Sequence, residues 1–301
     1  MLSQKRLLLI AAVLQIVWGF VPTASKLVID EIPIELYISL RWTISGVIFA
    51  IYLTLTKRWQ KVGLRDAGWI AFLGVLGYGV ASLGTLYGLK IGGVINFALV
   101  AAVGPVITSV IAMIFLRERP QKLFYFSLLV SVLGLLLLAI GKYQISSFAI
   151  AGQSVGFILS ACVLEAIVFV FSKKFKDRVS AIQYLAIAQL SAAILMWSLQ
   201  GAVHRQTAAL AQLTLTGILA ALFVSIVACV LCYTILYWLL NYIDGHRLAL
   251  FDGFHALSAT VFGFMFFNEP FRPLMILGGV LVLSGLVMGN WPQPVAEKDP
   301  E

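Results

Sequence analysis

The sequence predicts an all-α polytopic membrane protein of ten transmembrane helices, laid out as two inverted five-helix repeats around a central cavity. Three observations predict it. Hydrophobic residues make up 61% of the 301 positions and charged residues only 11%, whereas soluble domains sit near half apolar and about a quarter charged. The apolar residues fall in long runs, and runs of about 20 belong in a bilayer, where a helix satisfies its own backbone groups. Short features of the first half recur in the second at an offset of 151 residues.

The runs cover about 7 to 27, 33 to 56, 67 to 89, 93 to 116, 122 to 141, 153 to 172, 180 to 200, 214 to 239, 246 to 267 and 272 to 290. At 1.5 Å rise per residue, each crosses a hydrocarbon core of roughly 30 Å. The first, behind Lys5 and Arg6, is longer than the apolar part of a signal peptide and is read as a retained helix. Basic residues cluster between the runs. Lys5 and Arg6 precede the first; Lys57, Arg58, Lys61 and Arg65 follow the second; Arg117, Arg119 and Lys122 follow the fourth; Lys173, Lys174, Lys176 and Arg178 follow the sixth. With Arg247 and Lys298, fifteen of the 21 lie on one side. The positive-inside rule makes that side the cytoplasm and puts both termini in it. The net charge of +8 is therefore spent on topology and implies no nucleic-acid partner.

Glu118 of "FLRERPQK" and Glu269 of "FFNEPFR" stand 151 residues apart, and the same offset carries Gly134 onto Gly285. Each carboxylate sits at a helix start beside Pro120 or Pro270, where the helix dipole and the missing proline N–H favour it. Both are read as structural. Five spans per copy is an odd number, so the second copy enters the membrane from the other side. This divides the chain into residues 1–146 and an inverted 147–301. Inverted repeats around a midplane site are a common plan for secondary transporters. Cys162, Cys229 and Cys232 lie within apolar runs and are read as small buried residues, so no metal, cofactor or disulfide framework is expected.

A charge inside a spanning helix costs about 2.5 to 3.5 kcal/mol at the bilayer centre and calls for a partner, a wet cavity or a function. Arg41 in the second run, Glu165 in the sixth, and Asp252 with His255 at i, i+3 spacing in the ninth are such groups. Arg41 is read as framework, neutralised by Glu165 or by backbone carbonyls. Glu165, Asp252 and His255 are candidates for proton coupling. The chain has no "GxxxxGK[ST]" phosphate loop and no long span-free stretch to house an ATPase domain, so proton exchange is the economical energy source. The third run is the clearest two-faced helix. Gly77, Ala81, Gly84 and Gly88 make a smooth ridge for a neighbouring helix. Tyr78, Ser82 and Thr85 make a polar stripe one residue on, a cavity wall that Gln15 and Trp18 would face. These groups and His255 suit an uncharged or zwitterionic solute with an apolar side chain. A phosphorylated one would want clustered Arg or Lys, and here there are only Lys26 and Arg41.

"WGF" at Trp18 with Lys26, "SLRWTISG" around Arg41, "GPVITSVIAMIFLRERP" through the fourth run and "FGFMFFNEP" through the ninth together resemble the EamA-type branch of the drug/metabolite transporter superfamily. The resemblance covers essentially the whole chain and rests on the order of the motifs. It implies an exporter in the inner membrane that handles metabolites, hydrophobic or aromatic amino acids foremost. It also implies spans 1 to 4 and 6 to 9 around the cavity, with 5 and 10 outside. Where the fourth run has Pro105, the position 151 residues on is Ala256, which breaks the likeness of the halves there. A multidrug or organic-cation exporter is the alternative, weakened because small relatives of that kind carry Glu in the first helix and this chain has Gln15. A membrane-embedded enzyme such as a lipid-linked transferase would want His and Asp clusters at a membrane face and a sizeable loop. Only the short "DGHR" run approaches that.

Overall fold

In a computed structural model, the structure describes residues 4–101, 103–116, 122–142, 148–175, 177–200, 207–243, 248, 251–267 and 273–289. Glu118 and Glu269, with their flanking charges, lie outside these residues. Among the described residues every regular element is a helix. Among them six stretches are long and apolar enough to cross a membrane: Gln4–Ile29, Ile34–Leu55, Leu64–Ile95, Gly152–Phe175, Ala181–Leu199 and Leu215–Leu239. Shorter apolar helices include Leu123–Gly134 and Gly253–Phe267.

The first stretch is two helices, α1 (Gln4–Trp18) and α2 (Val21–Ile29). Pro22 opens the second, where a missing N–H costs nothing. α3 (Ile34–Leu55) follows Pro33 and carries Glu35 in its first turn, which complements the helix dipole. α4 (Leu64–Gly74) runs through a π-helical segment, Val75–Val80, into α5 (Ala81–Ala101). Gly93 interrupts α5 with φ 77°, a left-handed conformation that costs a residue with a Cβ dearly. The interruption falls where the sequence places the boundary between its third and fourth runs. α6 (Gly104–Leu116), α7 (Lys122–Lys142), α8 (Phe148–Ser172) and α9 (Ala181–Gln200) come next. α10 (Leu215–Leu222) passes through a second π-helical segment, Phe223–Cys232, into α11 (Tyr233–Leu239); α12 (Asp252–Phe267) and α13 (Pro273–Gly289) complete the described helices.

In lipid the tails are as apolar as leucine, so helices associate by close packing and interhelical hydrogen bonds. The small-residue ridge of the third run does this against α8. A Cβ added at Gly84 would stand 2.8 Å from the Phe157 carbonyl oxygen, and one at Gly77 would stand 2.7 Å from Val168 Cγ2. The Ser154 hydroxyl seals the same seam by donating to the Gly88 carbonyl at 2.7 Å.

The packing maps onto itself when the two halves are exchanged. α3 packs on α9 and α7 on α13; α1 meets α12 as α8 meets α6; α1 meets α11 as α8 meets α5; and α3 meets the second π-helical segment as α9 meets the first. Ring pairs repeat as well. Phe20 and Phe266 lie 5.3 Å apart at 55°, and the residues offset from them by 151, Phe171 and Phe115, lie 5.2 Å apart at 52°. The loops obey the same rule with different chemistry. Between α2 and α3, Glu31 accepts from Thr214 N at 2.9 Å and from its hydroxyl at 2.6 Å. Thr214 in turn caps α10 through Gly217 N. At the equivalent place between the α3–α4 and α8–α9 connections, Gln60 and Gln183 clasp each other. Gln60 N donates to Gln183 Oε1 at 2.8 Å, Gln183 Nε2 donates to the Gln60 carbonyl at 2.9 Å, and Ser180 N donates to Gln60 Oε1 at 2.8 Å.

Candidate functional site

Between the two sets of helices lies a cavity of about 250 Å³. Its wall draws on α1 and α2, α3, both sides of the Gly93 break, α6, α8, the second π-helical segment with α11, and α12. Among the described residues, α7 and α13, which pack on each other, contribute nothing to it, and neither does α9.

The polar stripe of the third run organises one side, because each member reaches a different helix. The Tyr78 and Tyr237 hydroxyls share a hydrogen bond of 3.2 Å to α11. Ser82 Oγ accepts from Arg41 Nη2 at 2.8 Å and from Trp42 Nε1 at 3.3 Å, both on α3. The Thr85 hydroxyl donates to Glu165 Oε1 on α8 at 3.2 Å. Tyr78 and Thr85 line the cavity, whereas Ser82 is buried one layer behind it, holding Arg41 in place.

Arg41 is 92% buried, being 8% exposed, and reaches the cavity. Its guanidinium lies 4.3 Å from the Trp42 ring centroid and 5.7 Å from that of Tyr37, a stacking that suits a weakly hydrated planar cation. Nε is buried without a partner among the described residues. Arg41 and Glu165 act on each other through space. Among the described residues the two make no ion pair, and each is tethered to its own hydroxyl on the third run. Glu165 lines the cavity with its carboxylate open to it.

Gln15 and Trp18 line the cavity as the sequence suggested, and so does His255. The imidazole Nε2 of His255 is buried with no hydrogen-bond partner among the described residues. The backbone of Asp252 begins α12, and its side chain lies outside what is described. Lys26 is away from the cavity and pairs with Asp30.

Sequence reasoning missed three aromatic residues. Trp42, Tyr233 and Tyr237 line the cavity with Trp18 and Tyr78. The rings meet edge to face: Trp18 and Tyr233 at 4.9 Å, Trp42 and Tyr78 at 4.8 Å, and Tyr78 and Tyr233 at 5.3 Å. Such pairs are worth about 0.5 to 1.5 kcal/mol beyond burial and make a rigid wall. Two signals were present in the sequence: Trp42 adjoins the embedded Arg41, and Tyr233 and Tyr237 share a helix face at i, i+4. The two π-helical segments bring the wall together. Tyr78 lies in the first and Tyr233 directly follows the second, and such segments recur at functional sites.

This arrangement offers one solute an aromatic surface, hydroxyls, an imidazole and two opposite charges. Comparison with known proteins gives it a context. The model of the EamA-like transporter family matches the chain twice, over residues 5–140 and 153–291. The chain is 25% identical over 282 residues to an uncharacterized transporter, YoaV, of Bacillus subtilis (strain 168), covering 92% of this chain and 94% of that one. A protein of solved crystal structure superposes with a TM-score of 0.76 at 16% identity, over 96% of this chain and 99% of its own, a likeness of fold.

Proposed function

The chain belongs to the EamA-like transporter family, and from that premise we propose that it is a secondary-active exporter of small metabolites, hydrophobic or aromatic amino acids foremost. The observation that carries this reading is the cavity built jointly by the two matched regions, lined by aromatic rings and a few hydrogen-bonding groups. A 150 Å³ apolar cavity holds benzene, so about 250 Å³ suits a solute with one ring and several further heavy atoms.

In this reading the chain crosses the membrane ten times, as repeats 1–146 and 147–301 of opposite orientation, with both termini in the cytoplasm of an inner membrane. The packing that survives exchange of the halves supports inversion, because alternating access needs two conformations of similar energy. In alternating access the Glu31–Thr214 contact and the Gln60–Gln183 clasp part in turn. Glu165 and His255 line the solute's path and, with Asp252, carry the proton exchanged for it.

The test is counterflow in proteoliposomes loaded with a panel of labelled amino acids, with and without a pH gradient. Exchange of at least one apolar or aromatic amino acid, accelerated by the gradient, is expected. No exchange of any member would refute the assignment. Gradient-driven export left intact in Glu165→Gln, Asp252→Asn and His255→Ala alike would remove the proton-coupling part.

A further inference from the structure

We infer that Arg41 and Glu165 are the two poles of a zwitterion clamp, Arg41 taking the solute's carboxylate and Glu165 its ammonium. This rests on the reading of the cavity as the solute's path and gives the charges a part that the sequence did not suggest for Arg41.

A guanidinium has five N–H donors. In Arg41 one nitrogen is bound to Ser82 and Nε has no partner among the described residues, although the residue is 92% buried and borders the cavity. A buried cation with donors to spare and no carboxylate within ion-pair distance among the described residues is costly unless an anion arrives. One flat face of the guanidinium is covered by Trp42, and the unpartnered Nε lies on its edge. Edge-on, two parallel N–H groups fit a carboxylate.

Glu165 is the complementary pole. Its one described bond is from Thr85, and a carboxylate has about four lone-pair sites. The tethers set the spacing. Ser82 and Thr85 are three residues apart on one helix, which separates them by roughly 4.5 Å along the axis and leaves them on the same side. Tethering also keeps the poles from collapsing onto each other. The rings of Trp18, Tyr78 and Tyr233 lie along the same cavity to receive an apolar or aromatic side chain.

The experiment measures counterflow of labelled L-phenylalanine in proteoliposomes, with 2-phenylethylamine (no carboxylate) and 3-phenylpropionate (no ammonium) as competitors. In the unaltered protein both competitors should bind at least about tenfold more weakly than phenylalanine. Arg41→Lys, which keeps the charge but loses the fork, should raise the phenylalanine KM about tenfold. It should weaken 3-phenylpropionate and leave the inhibition constant of 2-phenylethylamine unchanged. Glu165→Gln should do the reverse. This crossed pattern does not depend on how much protein folds, since inhibition constants are independent of amount. Competitors equal to phenylalanine, or variants that shift both inhibition constants together, would overturn the clamp while the transport reading stood. No counterflow of phenylalanine would overturn the clamp as drawn, and only failure of the whole amino-acid panel would overturn transport as well.

Discussion

Replacing Gln183 with alanine should lower the thermal stability of the protein by an amount the clasp predicts. Gln183, in the first turn of α9, is 2% exposed and makes two hydrogen bonds to the α3–α4 loop, accepting from Gln60 N at 2.8 Å and donating to the Gln60 carbonyl at 2.9 Å. A net bond is worth about 1 kcal/mol and an orphaned partly buried group costs at least as much, so the change should destabilise by roughly 2 kcal/mol. For a chain of this size that is a fall in Tm of roughly 3 °C. The assay is unfolding in detergent micelles, followed by a thiol-reactive dye that reports exposure of the buried Cys162, Cys229 and Cys232. Gln60→Ala is the internal control. It removes only the bond from Ser180 N, because the other two use the backbone of Gln60. Its effect should therefore be about half as large. A Gln183→Ala protein that melts within a degree of the original would show that the clasp contributes nothing, and equal effects of the two substitutions would contradict the bond-by-bond reasoning.

Other predictions follow from single contacts. Gly84→Leu should disrupt the seam with α8, since even a Cβ there meets the Phe157 carbonyl oxygen at 2.8 Å. Overpacking of this kind costs about 1 to 3 kcal/mol, read as a lower Tm and a broadened size-exclusion peak. Glu31→Ala should cost about 1 kcal/mol by removing the acceptor of Thr214 N and its hydroxyl. Thr214→Ala, which also strips the cap of α10, should cost more. Trp18→Ala should enlarge the cavity beside Tyr233 and lower the discrimination against bulkier solutes in competition assays, with stability falling as well.

Helix positions were readable because apolar runs of that length have few other folds available. The stripe of Tyr78, Ser82 and Thr85 was readable because polar residues at helical spacing stand out in an apolar run. Their partners were not. In α11 nearly every position is apolar, so periodicity does not single out Tyr233 and Tyr237, and in α3 Trp42 sits among many other apolar residues. The π-helical segments were hidden for a related reason. Widening a turn by one residue re-aims everything after it, yet "VLGYGV" and "FVSIVACVLC" carry no proline or charge to mark it. Gln60 and Gln183 are 123 residues apart, one in a loop and the other in the first turn of α9, and nothing local pairs them. Ser82 was placed on the right face but one layer too far in, because its spacing records direction and not depth.

The claim on which the account depends is that a single cavity between the halves opens to each side of the membrane in turn. The most direct measurement places a reporter thiol in that cavity, Thr108→Cys in a chain whose Cys162, Cys229 and Cys232 are replaced by alanine. A membrane-impermeant maleimide is then applied to right-side-out and to inside-out vesicles. Labelling from both sides, with the balance shifted when transported solute is added, is the predicted result. Labelling confined to one side, with and without solute, would contradict it.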